Sequence, residues 1–172
     1  MTERPQQYQF HQGDRILPFA PEEYDARLAG LRRIMADAGV EAAVFTSMQC
    51  IAYYSGFLYC SFGRPYGLVV TATQSVTISA GIDAAQPWRR CHGDNITYTD
   101  WARDNYWRAI LSVTGPGKVI GFEGDHLTLV QSAKLDHFLA PSARIDIASQ
   151  CMVQRMFKSD AEVALIRQGA QV

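Results

Sequence analysis

The chain has 172 residues, 48% of them hydrophobic and 19% charged, which suits one globular domain with a real core and excludes a disordered chain. Its formal charge of −1 gives no electrostatic reason to expect nucleic acid or an anionic membrane as partner. No apolar run approaches the ~20 residues that span a bilayer, and the polar start MTERPQQYQFHQGDR lacks the apolar core of a signal peptide.

Residues 1–15 show no periodicity and read as an arm. The stretch PEEYDARLAGLRRIMADAGV predicts a helix: Pro21 suits a first turn, Glu22 and Glu23 complement its positive end, and Gly39 stops it. Tyr24, Leu28, Leu31, Ile34 or Met35, and Ala38 form its apolar stripe, while Arg27, Arg32, Arg33 and Asp37 fall on the face expected to meet solvent. Residues 42–46 (AAVFT) predict a buried strand, followed by a short helix with Ser47 as cap and Gly56 as stop. Residues 66–72 and 75–80 are β-branched runs around a tight polar turn and predict a hairpin. Residues 81–90 begin as helix, with Pro87 expected to end or kink it, and residues 96–99 form a short strand. Asp104 is the expected cap of a helix over 105–113, before the turn Gly115-Pro116-Gly117. A strand over 118–123, a helix over 127–139 and a strand over 143–147 follow. Ser159 and Glu162 make a capping box for a final helix.

Strands alternating with helices, plus one hairpin, indicate an α/β three-layer sandwich with a mixed β-sheet flanked by helices. The sequence stops with the apolar stripe of that last helix (Val163, Ile166, Ala170) still running, so a longer parent protein is expected.

Catalytic groups are sparse. Cys50, Cys60, Cys91 and Cys151 contain no C-x-x-C pair and read as reduced thiols of a cytoplasmic protein, without disulfides and without a metal site. His92 reads as a turn residue, His137 as a surface histidine and His126 as a helix-start residue, and neighbouring Cys91 and His92 face opposite ways on a strand. Gly115-Pro116-Gly117 lacks the lysine of a phosphate loop, and Asp83, Asp94, Asp100 and Asp104 are better explained as caps and turns than as a metal cluster.

Two segments stand out. In FLYCSFGRPYGLVV a single arginine, Arg64, sits between Gly63 and Pro65 inside an aromatic and aliphatic run. Either its head group escapes to water or it waits for an anion that this chain does not supply. The second, QPWRRCHGDNITYTDWARDNYW, mixes Trp88, Arg89, Arg90, Trp101 and Trp107 in the manner of a contact surface; core tryptophans beside solvated arginines would explain it equally well.

SGFLYCSFGRPYGLVV, QPWRR, DNITYTDWARDNYW and MFKSDAEVALIRQGA together resemble the N-terminal domain of the creatinase/aminopeptidase P/prolidase family over nearly the whole chain. The K-S-x-x-E-x-x-x-I-R pattern at 158–167 is general to that family, whereas FLYCSFGRPY is similar to its creatine amidinohydrolase branch alone. The resemblance implies an arm over 1–15, a ribonuclease H-like α/β domain over 16–157, and over 158–172 the start of a helix leading to a C-terminal pita-bread catalytic domain. It implies a homodimer in which this domain covers the partner subunit's active site, with no cofactor and no metal. Phe62 and Arg64 match residues that contact the substrate there, Arg64 holding the carboxylate of creatine or another guanidino acid. Trp88, Arg89, Arg90 and Trp101 are candidates for the interface or the rim of the site, and no catalytic residue falls in this chain. Two rivals remain: the N-terminal domain of an Xaa-Pro peptidase or prolidase-type metallopeptidase, and a non-catalytic dimerisation or binding module.

Overall fold

The computed structural model describes residues 5–59, 63–83 and 86–171 of the chain. Among these, seven strands form one mixed sheet in the order β1-β5-β4-β3-β2-β6-β7, with helices on both faces, the α/β sandwich expected from the sequence. The strands are β1 (Gln7–Tyr8), β2 (Ala42–Phe45), β3 (Gly67–Thr71), β4 (Ser75–Ala80), β5 (Asp94–Tyr98), β6 (Val119–Phe122) and β7 (Ala143–Asp146). The helices are α1 (Pro21–Asp37), α2 (Met48–Ser55), α3 (Gln86–Arg90), α4 (Asn105–Thr114), α5 (Leu129–Leu139), α6 (Ala148–Met156) and α7 (Asp160–Gly169).

Local chemistry accounts for most boundaries. Pro21 opens α1, and at its other end Gly39 N–H bonds Ala36 O at 3.1 Å while Val40 N–H bonds Met35 O at 2.8 Å. That pair of bonds requires a left-handed residue, supplied by Gly39 at φ 68°. Ser47 Oγ accepts from Cys50 N–H at 3.1 Å to start α2, and Gly56 at φ 80° ends it. The hairpin β3–β4 pairs Gly67 with Ile78 through to Val70 with Ser75. The capping box of Ser159 and Glu162 is present at α7.

The core lies between sheet and helices. Leu31, Phe45, Ile51, Leu68, Ile78, Ile110, Ile120 and Leu135 are fully enclosed, each contributing ~1.5–3 kcal/mol through burial.

Within the arm, Gln7 and Tyr8 pair with Tyr98 and Thr97 and cover the outer edge of β5. Three expectations are corrected. Pro87 stands in the first turn of α3, where its missing N–H costs nothing, so it opens that helix instead of breaking it. Asp104 holds the N-cap position of α4, as expected, but its side chain makes no capping bond there. It adopts a left-handed conformation (φ 57°) and pairs with Lys134 at 2.5 Å, joining α4 to α5. Arg27 is 5% exposed rather than solvated. Its guanidinium bonds Glu23 Oε1 at 3.0 Å and Tyr53 O at 2.9 Å and lies over the Phe19 and Tyr53 rings, 4.5 and 4.4 Å from their centroids. Glu162 of α7 approaches it to 3.7 Å and Ser159 Oγ donates to Glu23 at 2.9 Å, so this buried arginine ties α7 back to α1.

Candidate functional site

Strand register places one set of loops together. Phe45 is level with Leu68, Gly67 with Ile78, Ala80 with Tyr98, and Phe122 with both Val44 and Asp146. The carboxyl ends of β2, β4, β5, β6 and β7 therefore share one edge of the sheet with the loop that enters β3. In open α/β sheets ligands gather outside the carboxyl ends of the strands. The loop entering β3 carries Arg64.

That loop is held by tyrosines. Tyr98 Oη donates to Pro65 O at 3.0 Å, and Tyr106 Oη donates to Tyr66 O at 3.1 Å. The Tyr66 hydroxyl itself donates to Asp83 Oδ2. Tyr59 Oη donates to Thr46 O at 3.0 Å on the preceding side of the loop. Burial pushes all four phenols up, Tyr59 to about 12, so each stays a neutral donor at physiological pH. Gly63 at φ 82° turns the backbone just before Arg64, and a Cβ on Gly67 would meet Tyr106 Oη at 2.6 Å, so only glycine fits there. The backbone on the carboxyl side of Arg64 is thus fixed before any ligand arrives.

The Arg64 side chain is half-buried and makes no ion pair among the described residues. It stands where three concavities meet. One, of ≈ 630 Å³, includes Tyr8, Ile82, Tyr98 and Trp101. A second, of ≈ 290 Å³, includes Tyr59, Tyr66, Asp83 and Arg90. The third, of ≈ 320 Å³, includes Trp101, Trp107, Val130 and Lys134. Around it the surface is unusually apolar: Leu58, Trp101 and Val130 are exposed and Ile82 is 71% exposed. Exposed groups of this size in a ring around a cation mark a surface that awaits a cover.

Of the residues singled out from the sequence, Arg64, Arg90 and Trp101 come together at this edge. Phe62 lies outside the described residues, as does Cys60. Trp88 and Arg89 are used elsewhere. His11 stacks on the Trp88 ring at 3.8 Å with Arg15 over it at 3.9 Å, while Arg89 O accepts from Ile16 N–H at 2.6 Å; together they fasten the arm. Trp107 is a core residue.

One polar centre was not anticipated. Glu123, buried at the end of β6, accepts from Thr46 N–H at 2.8 Å and Ser47 N–H at 2.9 Å, and the Ser47 hydroxyl bonds its other oxygen. His126 Nδ1 shares a 2.8 Å hydrogen bond with Thr46 Oγ1, so it braces this junction instead of starting α5, which Thr128 and Gln131 cap. The hint in the sequence is a glutamate closing a buried strand. His92, expected at a surface turn, bonds Asp25 at 2.7 Å and stacks on Tyr24. Cys50, Cys91 and Cys151 are buried free thiols, and burial pushes them up, Cys50 to about 12 and Cys151 to about 11. No three metal-binding side chains gather among the described residues.

Three comparisons bear on this arrangement. The Creatinase/Prolidase N-terminal domain model matches residues 27–157. A creatinase from Bacillus sp. (strain B-0618) is 45% identical over 165 residues, covering 93% of this chain and 40% of that protein. The chain thus spans about two fifths of that relative's length, 40%. Among solved structures, dipeptidase PepE from Mycobacterium ulcerans superposes with a TM-score of 0.70 at 20% identity, over 85% of this chain and 40% of that one. The Creatinase/Prolidase N-terminal domain of an X-Pro dipeptidase from Streptococcus pyogenes does so with a TM-score of 0.65 at 22% identity, over 74% of this chain and 97% of that one. At such identities the two structures establish the fold.

Proposed function

We propose a function from one premise: the chain belongs to the Creatinase/Prolidase N-terminal domain family. Its relatives include creatinase and dipeptidases, so the coarse setting is a hydrolase. Within it, the whole protein hydrolyses creatine to sarcosine and urea. Water adds to the amidino carbon, the bond from that carbon to the methylated nitrogen breaks, and the nitrogen leaves with a proton as sarcosine. The catalytic groups belong to a second domain reached through α7, and the exposed apolar side chains of α6, α7 and the link between them (Met152, Val153, Met156, Phe157, Leu165 and Ile166) suit a surface that such a domain covers.

In this reading the chain supplies recognition. The observation that carries it is Arg64: a permanent cation without an ion pair among the described residues, on a loop pinned by tyrosines and ringed by exposed apolar groups. A forked guanidinium pairs bidentately with a carboxylate, and covering the ring lowers the local dielectric and strengthens that pair. Creatine offers a carboxylate next to the group to be hydrolysed. The cover is the catalytic domain of a second, cytoplasmic copy of the protein, with Phe62 and Arg64 reaching the substrate of that copy.

The test is substrate turnover by the full-length protein with and without a chelator. Urea release from creatine that survives chelation supports the reading. Cleavage of Xaa-Pro dipeptides, abolished by chelation, would replace it with the metallopeptidase. The 172-residue chain alone should release no urea.

A further inference from the structure

Helix α7 has little to hold it. Its ten residues include none that is fully buried, and from Ala164 onward every described residue is exposed. A helix shorter than about 12–15 residues is marginal in water by itself, and burial of an apolar face is the usual remedy. α7 lacks that remedy, so its hold on the domain is confined to its first turn.

The polar groups of that turn each act twice. Ser159 Oγ accepts from Glu162 N–H at 3.2 Å and donates to Glu23 Oε1 at 2.9 Å. Glu162 Oε2 accepts from Ser159 N–H at 3.0 Å, while its Oε1 faces Arg27 Nη2 at 3.7 Å. Arg27 Nη2 also lies 2.9 Å from Glu23 Oε1, so one buried guanidinium stands between a carboxylate of α1 and a carboxylate of α7. Without that cation the two carboxylates would repel each other. The same residue fastens the preceding helix. Arg27 O accepts from Gln154 Nε2 at 2.9 Å, Gln154 Oε1 accepts from Tyr54 Oη at 2.9 Å, and the Gln154 amide fills the space that a Cβ on Gly30 would need. α6 is thereby held through the Arg27 backbone and α7 through the Arg27 side chain.

We infer that Arg27 is a positioning residue that sets the direction in which α7 leaves the domain, and that Ser159 and Glu162 of the K-S-x-x-E-x-x-x-I-R pattern receive it as well as cap the helix. A helix that was capped but not docked would swing about the link between α6 and α7. Docked on Arg27, α7 presents the exposed Leu165 and Ile166 at a fixed place, so a surface that covers them has less to order on binding. That consequence rests on the reading of α7 as the lead to a second domain; the docking of α7 on Arg27 does not.

The experiment measures the spread of distances between spin labels placed by Arg33→Cys on α1 and Gln168→Cys on α7, both exposed positions, in the 172-residue chain carrying Cys60→Ser. The buried Cys50, Cys91 and Cys151 stay unlabelled. The parent chain should give one narrow distance. Glu162→Gln keeps the capping box, because glutamine serves at that position as well as glutamate, yet it removes the charge that faces Arg27. It should lower the ratio of docked to undocked α7 about tenfold, seen as a broad component in the distances. Arg27→Gln leaves two carboxylates face to face and should broaden them further. Circular dichroism shows whether each variant is folded, and Glu162→Gln decides the matter if Arg27→Gln does not fold. A parent chain that is already broad would overturn the inference, because α7 would then have no set direction. Glu162→Gln as narrow as the parent would overturn it too, because the cap alone would be holding the helix. The measurement involves neither substrate nor second domain, so its failure and that of the proposed hydrolase function are told apart by urea release from the full-length protein.

Discussion

Replacing Glu123 tests how the Arg64 edge is built. Its carboxylate is the joint between the end of β6 and the turn from β2 into α2, accepting two backbone N–H groups and the Ser47 hydroxyl. In Glu123→Ala the hydroxyl can turn elsewhere, but the N–H groups of Thr46 and Ser47 stay buried without partners. Each orphaned donor costs about 1–3 kcal/mol, and two give a central expectation of about 4 kcal/mol. Removing the carboxylate also removes its own desolvation cost, which brings the net to about 3 kcal/mol. For a chain of this length that is a fall in Tm of about 6–12 °C. Glu123→Gln keeps one acceptor but turns an NH2 toward an N–H, and should lose about half as much, roughly 1.5 kcal/mol. Urea denaturation of the chain, followed by tyrosine and tryptophan fluorescence, reads both values, with the m-value unchanged. A loss below about 1 kcal/mol for Glu123→Ala would refute the reasoning, because water would then be satisfying the two donors.

The loop anchors should separate stability from binding. Tyr98→Phe frees the carbonyl of Pro65 and should cost about 1 kcal/mol while raising KM for creatine in the full-length protein with kcat nearly constant; an unchanged KM would mean that the loop needs no such pin. Ile82→Glu with Val130→Glu alters only exposed surface, so the chain should stay within about 0.5 kcal/mol of its original stability while the dimer proposed for the full-length protein fails to form on analytical ultracentrifugation; a dimer that forms unchanged would place the interface elsewhere. In a Cys60→Ser background, Cys50, Cys91 and Cys151 should react with a thiol reagent roughly two orders of magnitude more slowly than in denaturant at pH 8. Their raised pKa values keep the thiolate scarce, so the rate should climb as pH rises toward 11; equally fast labelling of the folded chain would contradict their burial.

Elements set by local signals were legible in the sequence. Pro21 with Gly39, Ser47 with Gly56, and Ser159 with Glu162 mark helix ends through contacts within a few residues, and all three pairs act as read. What depends on distant partners was not. Arg27 looks solvated along its own helix because Phe19, Tyr53 and Glu162, which enclose it, come from other parts of the chain. β1 is two residues long and exists only because β5 has an open edge. α6 mixes polar residues with an exposed valine and two exposed methionines, so its pattern is faint. Arg64 was legible as an incongruity, a charge in apolar company, and its surroundings of three concavities and four tyrosine hydroxyls required the fold.

The most direct measurement is steady-state urea release from creatine by the full-length protein carrying Arg64→Ala. Losing a charge-assisted, bidentate contact worth about 1.5–3 kcal/mol should raise KM by roughly 10- to 100-fold, with kcat held within a few-fold and Tm unchanged. Wild-type KM in that variant would show that the guanidinium never meets the substrate, and the role assigned to this domain would fall with it.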